Sequence, residues 1–258
     1  MDSILVPRAP SLLDPSSAAA ISCLVLADRL EGGWNPRWSK ALRSCGRAVV
    51  VKPDGSLRAN PLFCNLKICP LCRIRRQWRR FHGLRDRVAA VIGGHGAALH
   101  LTLSGPHSQP LAARIRIMLD LVRGYSRTHA WKNPHGLSRQ VGAIWAFELS
   151  LGRDRRGHPH IHQLVVAPEA DAVRRYRDSI LRFWAAGVHG FSLECESARE
   201  LSADPDDWGP PLRYILKGSE VDPQWPSEVF DEAILELTSG RNHIGRIGLL
   251  HPRCRGGR

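Results

Sequence analysis

The chain has 258 residues, 43% of them hydrophobic, enough to bury a core in one or two domains and too apolar for wholesale disorder. Thirty-seven Lys and Arg against 24 Asp and Glu leave a formal charge of +13. That imbalance points to a polyanionic partner, nucleic acid before a membrane surface.

Residues 1 to about 15 are polar and Pro-punctuated, as in a loose tail. The apolar run Ala18 to Ala27 is too short to span a bilayer, and Asp2 and Asp14 interrupt the basic leader that a secretory signal needs. Asp14, Ser16 and Ser17 suit the cap of a short packed helix instead. A soluble, cytoplasmic protein is expected. Its seven cysteines are then thiols or metal ligands rather than disulfides.

From Gly33 to Pro70 the chain is rich in Gly, Pro, Trp and Cys, as in a small loop-rich module. Cys69-Pro-Leu-Cys72 has the knuckle spacing that presents two thiolates to one tetrahedral zinc. Cys64 and Cys45 would complete a structural four-thiolate Zn²⁺ site, with His82 as a substitute fourth ligand. Cys23, Cys195 and Cys254 have no partner spacing. Residues 73–92 follow, with Ile74, Trp78, Phe81, Leu84, Val88 and Ile92 at helical spacing and seven arginines between Arg73 and Arg87. These arginines either track phosphates or form a solvated face.

After Gly96 the elements alternate: a strand at 97–104, an amphipathic helix at 109–128, strands at 141–150 and 158–167, a helix at 170–187 and a strand at 189–196. The order β-α-β-β-α-β predicts an α+β fold, a ferredoxin-like split βαβ antiparallel sheet with its helices on one face. The domain reading is a tail and short helix at 1–33, the zinc module and Arg-rich helix at 34–95, a catalytic domain at 96–225, and a C-terminal helix and basic tail at 226–258.

"HPHIHQLVVA" places His158, His160 and His162 at alternate positions, so His160 and His162 share one face of a strand. Paired imidazoles suit a divalent cation, with Glu148 on the preceding strand or His158 as third ligand. An even-numbered turn would set Glu148 opposite Ile161 on the wrong face, and an odd one or a bulge aligns it with a histidine. The same alternation also fits a histidine-triad nucleotide hydrolase. In "DDWGPPLRYILKGSE", Pro210 and Pro211 suit the first turn of a helix capped near Asp207 or Gly209. Tyr214 and Lys217 then share a face. A phenol is a poor nucleophile unless its proton is drawn off, and Lys217 and the helix N-terminus are both suited to that. The plainer alternative is that Tyr214 packs the helix onto the sheet.

Taken in order, "LHLTLS" (99–104), "HPHIHQLVV" (158–166) and "RYILKG" (213–218) resemble the three motifs of rolling-circle plasmid replication initiators. These belong to the His-hydrophobic-His single-strand endonucleases, and the Cys-rich stretch before a basic helix is similar to the Gram-positive-type group. The resemblance covers roughly residues 40 to 220. It implies a nickase acting at a plasmid origin, with His160, His162 and Glu148 on a catalytic Mn²⁺ or Mg²⁺, Tyr214 as nucleophile and Lys217 one turn on. It also implies a host polymerase and helicase as partners. Where some members carry a Glu one turn before the tyrosine, this chain has Pro210, leaving Asp206, Asp207 or Glu220 for termination. The other readings are a relaxase or single-strand transposase of the same chemistry, and a non-catalytic zinc DNA-binding protein.

Overall fold

The computed structural model describes residues 18–32, 35–46, 49–51, 57–59, 63–105, 110–132, 136–187, 194–239 and 243–251. The chain divides into two compact units, one running to Arg75 with Asp222–Gln224, the other comprising Arg76–Val221 and the chain from Trp225 on. Asp14, Ser16, Ser17 and Cys254 lie outside the described residues.

The first unit holds helices α1 (Ala18–Glu31) and α2 (Pro36–Ser44), a two-stranded hairpin of β1 (Val49–Val51) and β2 (Leu57–Ala59), and the start of α3 (Pro70–Ile92). Helix α1 buries Cys23, Leu26, Ala27 and Leu30. Helix α2 begins where Asn35 Oδ1 accepts from the backbone N–H groups of Arg37 and Trp38, with Pro36 supplying a pre-set first turn. The module is therefore more regular than its loop-rich composition suggests.

The second unit is built on β3 (Ala97–Ser104), β4 (Gly142–Leu151), β5 (Gly157–Ala167), β6 (Glu194–Leu201) and β7 (Ile244–Gly248). They form a five-stranded antiparallel sheet in the order β6-β3-β5-β4-β7. Strand β6 runs to Leu201, five residues past the end expected at 196, while residues 189–193 of that expected strand lie outside the described residues; β7 is not anticipated by the sequence pattern. Its Gly245 admits the Trp145 indole, which an added Cβ would meet at 2.3 Å.

Strand alternation gives the sheet two faces. On one lie α4 (Leu111–Tyr125) and α6 (Ala170–Ala186): Gln163 Nε2 donates to the Tyr176 hydroxyl, Arg114 donates to the Gly157 carbonyl, and the Tyr125 ring meets Tyr176 edge-on. On the other, Phe81, Leu84, Val88 and Ile92 of α3 pack with Trp208, Leu212, Ile215 and Leu216 of α7 (Pro205–Lys217) over Ala98, Ile144, Ala146, Leu164 and Val166. The two helices of the β-α-β-β-α-β order thus share one face, and α3 and α7 cover the other. The reason is visible in β5, whose Ile161–Ala167 run is buried throughout. A central strand that is apolar on both sides needs cover on both.

Helix α7 also differs from expectation. Asp204 Oδ1 caps it by accepting from Asp206 N, and Pro205 opens it, so Pro210 and Pro211 lie inside the helix. Local cap chemistry at Asp204-Pro205 outweighs the Pro-Pro signal, because proline is tolerated best at N1. Gly218, at φ 70°, ends the helix.

Candidate functional site

Residues 152–156 form the turn between β4 and β5, since Leu151 pairs with Gly157. The turn is odd-numbered, and it puts Glu148 directly opposite His160 and Ala146 opposite His162. Glu148, His160 and His162 thereby project from the face that α7 covers, on which Ala146 and Leu164 pack. His162 Nε2 donates to Glu148 Oε2 at 2.8 Å, and the ring leaves Nδ1 to the Thr102 hydroxyl at 3.2 Å. With Nε2 donating to the carboxylate, the neutral ring accepts at Nδ1 from the Thr102 hydroxyl, which holds it in that tautomer. Beneath it His100 stacks at 5.7 Å between ring centroids, and burial with His162 and Arg199 nearby pushes its pKa down to about 4.

Tyr214 reaches the same carboxylate. Its hydroxyl donates to Glu148 Oε2 at 2.6 Å, and its ring stands edge-on to His162 with centroids 5.0 Å apart. Burial and the Glu148 charge both raise the Tyr214 pKa. Burial would raise Glu148 as well, but the hydrogen bonds from His162 and Tyr214 outweigh it and hold the carboxyl below its ordinary range. Tyr214 is not early in its helix, so the helix N-terminus expected to assist it is two turns away. Lys217 Nζ pairs with Glu220 at 3.0 Å, and its charge bears on Glu148. Asp207 is engaged by Arg199 and the Ser202 backbone, so of the carboxylates near the helix it is Glu148 that touches Tyr214.

His160 turns the other way. Its Nε2 lies 2.5 Å from His158 Nδ1 and 3.5 Å from Glu196 Oε1, and Ser150 Oγ is 3.5 Å from its Nδ1. Burial lowers the His160 pKa, against the pull of Glu196. Sequence reasoning does not place Glu196, His100 or Thr102 in the site. Thr102 and His100 lie in "LHLTLS", where alternation with buried Leu99, Leu101 and Leu103 is a usable signal. Glu196 has none, because its direction depends on an irregularity of the β3–β6 ladder.

The cysteine cluster belongs to the first unit. Cys45 and Cys64 each lie 3.6 Å from Cys72, and Cys69 lies 3.5 Å from Cys45, sulfur to sulfur. Thiolates around a zinc at about 2.3 Å would sit about 3.8 Å apart, so the four sulfurs nearly form the required tetrahedron. Backbone N–H groups of Asn65 and Cys72 point at Cys72 and Cys69. Cys23 on α1, without partner spacing in the sequence, stands 3.6 Å from Cys69. His82, the substitute ligand, stacks on Trp78 instead.

The chain is 25% identical over 142 residues to Protein rep of Lentilactobacillus hilgardii, covering 51% of this chain and 42% of that protein. It is 29% identical over 153 residues to Protein rep of Streptococcus pneumoniae serotype 2 (strain D39 / NCTC 7466), covering 55% of this chain and 46% of that protein. The chain thus spans less than half the length of either curated relative. No family model and no solved structure matches it.

Among the described residues, two groups of side chains have the donors and spacing to hold a metal ion. One is Cys45, Cys64, Cys69 and Cys72; the other is His158, His160 and Glu196, with the ligand atoms of each group within 4.8 Å of one another. All-sulfur donors suit zinc, whereas imidazole with carboxylate suits a divalent cation at a reaction centre. Among the described residues no helix is long and apolar enough to cross a membrane.

Proposed function

We propose that this chain is a plasmid replication initiator that nicks one DNA strand at an origin through Tyr214. The relatives named Protein rep support the initiator role, and so does the +13 charge for a DNA partner. The sheet supports the ferredoxin-like reading, because β3-α4-β4-β5-α6-β6 follows the split βαβ order. One observation carries the chemistry: Glu148 Oε2 accepts from both Tyr214 and His162, joining the nucleophile to the histidine face.

Tyr214 Oη attacks the scissile phosphorus, the bond from phosphorus to the 3′-oxygen breaks, and a 5′-phosphotyrosyl link forms. Glu148 Oε2, already accepting the phenol's hydrogen bond, is placed to take its proton. The 3′-oxygen leaves with the bonding electron pair, takes a proton from solvent water, and becomes the hydroxyl that a host polymerase extends once a helicase opens the duplex. Mn²⁺ or Mg²⁺, held by His160, His162 and Glu148 with His158 or Glu196 as rival ligands, would supply charge stabilisation at the phosphate. Thr102 orients His162, and Lys217 adds positive charge beside Glu148. In the other unit, Zn²⁺ on Cys45, Cys64, Cys69 and Cys72 is structural.

The test is incubation with single-stranded circular DNA and Mn²⁺. Protein covalently attached to the 5′ side of a cut is expected. Cleavage without attachment, or hydrolysis of free nucleotides instead, would replace this reading with a simple hydrolase.

A further inference from the structure

Arg79 and Arg80 of α3 and Arg246 of β7 converge on one open cleft of the sheet-bearing unit, about 410 Å³ in volume and bordered by Gly83, Leu216 and Ile244. That volume falls in the range of small-ligand sites, roughly 300–1,000 Å³. No carboxylate lines the cleft, and among the described residues none of the three guanidiniums is in an ion pair. Partial desolvation of the exposed Arg80 side chain, with Arg76 and Arg246 nearby, lowers its pKa, and the neighbouring guanidiniums crowd positive charge here. The cleft adjoins the helix of Tyr214, since Leu216 is on α7 and α3 is tied to α7 by Gln77 Nε2 donating to the Arg213 carbonyl at 2.8 Å. Arg213 in turn lies over the Phe81 ring at 5.0 Å.

We infer that this cleft is a phosphate-binding subsite that grips the DNA backbone beside α7. Guanidinium groups present planar donor forks that match phosphate oxygens in pairs, and three of them around one open cleft suit a phosphodiester better than any neutral ligand. Gly83 keeps the cleft clear. It sits inside a helix, where glycine is unfavourable, yet a Cβ added there would meet nothing within 4 Å. No packing neighbour demands the glycine, and a longer side chain at that position would enter the cleft. The identity of the polyanion rests on the DNA-nicking reading above.

The experiment measures affinity of the full chain for a labelled single-stranded oligonucleotide by fluorescence anisotropy across a salt series, with no added divalent cation. Each phosphate of a single strand that the protein ceases to neutralise lowers the slope of log affinity against log salt by about 0.7. Arg80→Ala with Arg246→Ala should lower the slope accordingly, and Arg80→Lys with Arg246→Lys should largely restore it. Gly83→Glu, which sets a carboxylate among the arginines, should weaken binding and flatten the slope in the same direction. Thermal melts establish that the variants fold; if Gly83→Glu does not, the arginine pair decides. An unchanged slope in folded Arg80→Ala/Arg246→Ala protein, or no DNA affinity in the unaltered chain, overturns the subsite. A normal slope shift here, together with no covalent adduct in the separate assay with Mn²⁺ and single-stranded circular DNA, overturns the nicking reading and leaves the subsite standing.

Discussion

Glu196 reaches His160 Nε2 at 3.5 Å from the one position of β6 that its ladder with β3 skips. Thr102 pairs with Ser197 and Leu103 with Cys195, so Glu196 is the extra residue of a bulge, and bulges re-aim side chains. The histidine face is therefore flanked by two carboxylates, Glu148 on His162 and Glu196 on His160. His160→Ala and His162→Ala should each abolish nicking while DNA affinity stays within a few-fold, because phosphate contacts dominate binding. Glu148→Ala should cost more than either His158→Ala or Glu196→Ala, at least about 100-fold in nicking rate, since it removes the partner of both His162 and Tyr214. Nicking rates titrated with Mn²⁺ rank the variants. If Glu196→Ala is the most damaging, the carboxylate ligand is Glu196.

Thr102 should matter through His162 alone. Thr102→Val keeps the β-branched shape and removes only the hydroxyl that meets Nδ1 at 3.2 Å. Loss of such an orienting partner typically costs roughly 10–100-fold in metal affinity or activity. Stability should fall by no more than about 1.5 kcal/mol, the scale of one net hydrogen bond. A shift in the Mn²⁺ concentration needed for half-maximal nicking, with the melting temperature lowered by no more than about 6 °C, separates orientation from folding. An unchanged Mn²⁺ requirement would mean that the hydroxyl does not position the ring.

Much of this site is legible in the sequence because it rests on period-two and knuckle spacing. His160 and His162 have to share a face, Cys69 and Cys72 have to converge, and only the parity of the turn after Leu151 decides whether Glu148 joins the histidines. What escapes depends on events that short patterns do not encode. Glu196 is aimed by a bulge, and Cys23 meets Cys69 across 46 residues of chain. The start of α7 is set by Asp204 and Pro205 rather than by the louder Pro210-Pro211 pair. The covering of the second sheet face by α3 follows from β5 being apolar on both sides, which fixes the need for cover but not which helix supplies it.

The thiol cluster gives a sharper test now that a fifth sulfur stands beside it. About one zinc per chain is expected on Cys45, Cys64, Cys69 and Cys72, and Cys69→Ser should release it and destabilise the protein by several kcal/mol, since closed thiolate sites contribute folding energy. Cys23→Ser should retain the zinc, because Cys23 meets Cys69 and the Leu71 backbone but lies outside the four-sulfur group. Metal content measured on protein purified without chelator, alongside thermal melts, reads both. Zinc lost equally in Cys23→Ser would make Cys23 a ligand; no zinc in either protein, with Cys69→Ser folding normally, would remove the metal altogether.

Tyr214 is the residue on which the chemistry stands or falls. Among the three tyrosines it is 44% exposed, whereas Tyr125 and Tyr176 are 1% and 0% exposed within apolar surroundings on the opposite face of the sheet. Only Tyr214 presents its hydroxyl to the histidine face, and there Glu148 receives its hydrogen bond at 2.6 Å. Tyr214→Phe removes one oxygen and leaves the ring edge-on to His162, so folding should be nearly unchanged and DNA affinity retained. Nicking and the covalent adduct should vanish together, because a nucleophile cannot be replaced by the residue that supports it. Lys217→Ala should slow nicking without eliminating the adduct, since its charge acts through Glu148 rather than on the attacking oxygen. Peptide mapping of the trapped complex decides the assignment. DNA on Tyr125 or Tyr176 would require the core to open first, and either result, or a cut with DNA on no residue, means that Tyr214 is not the nucleophile.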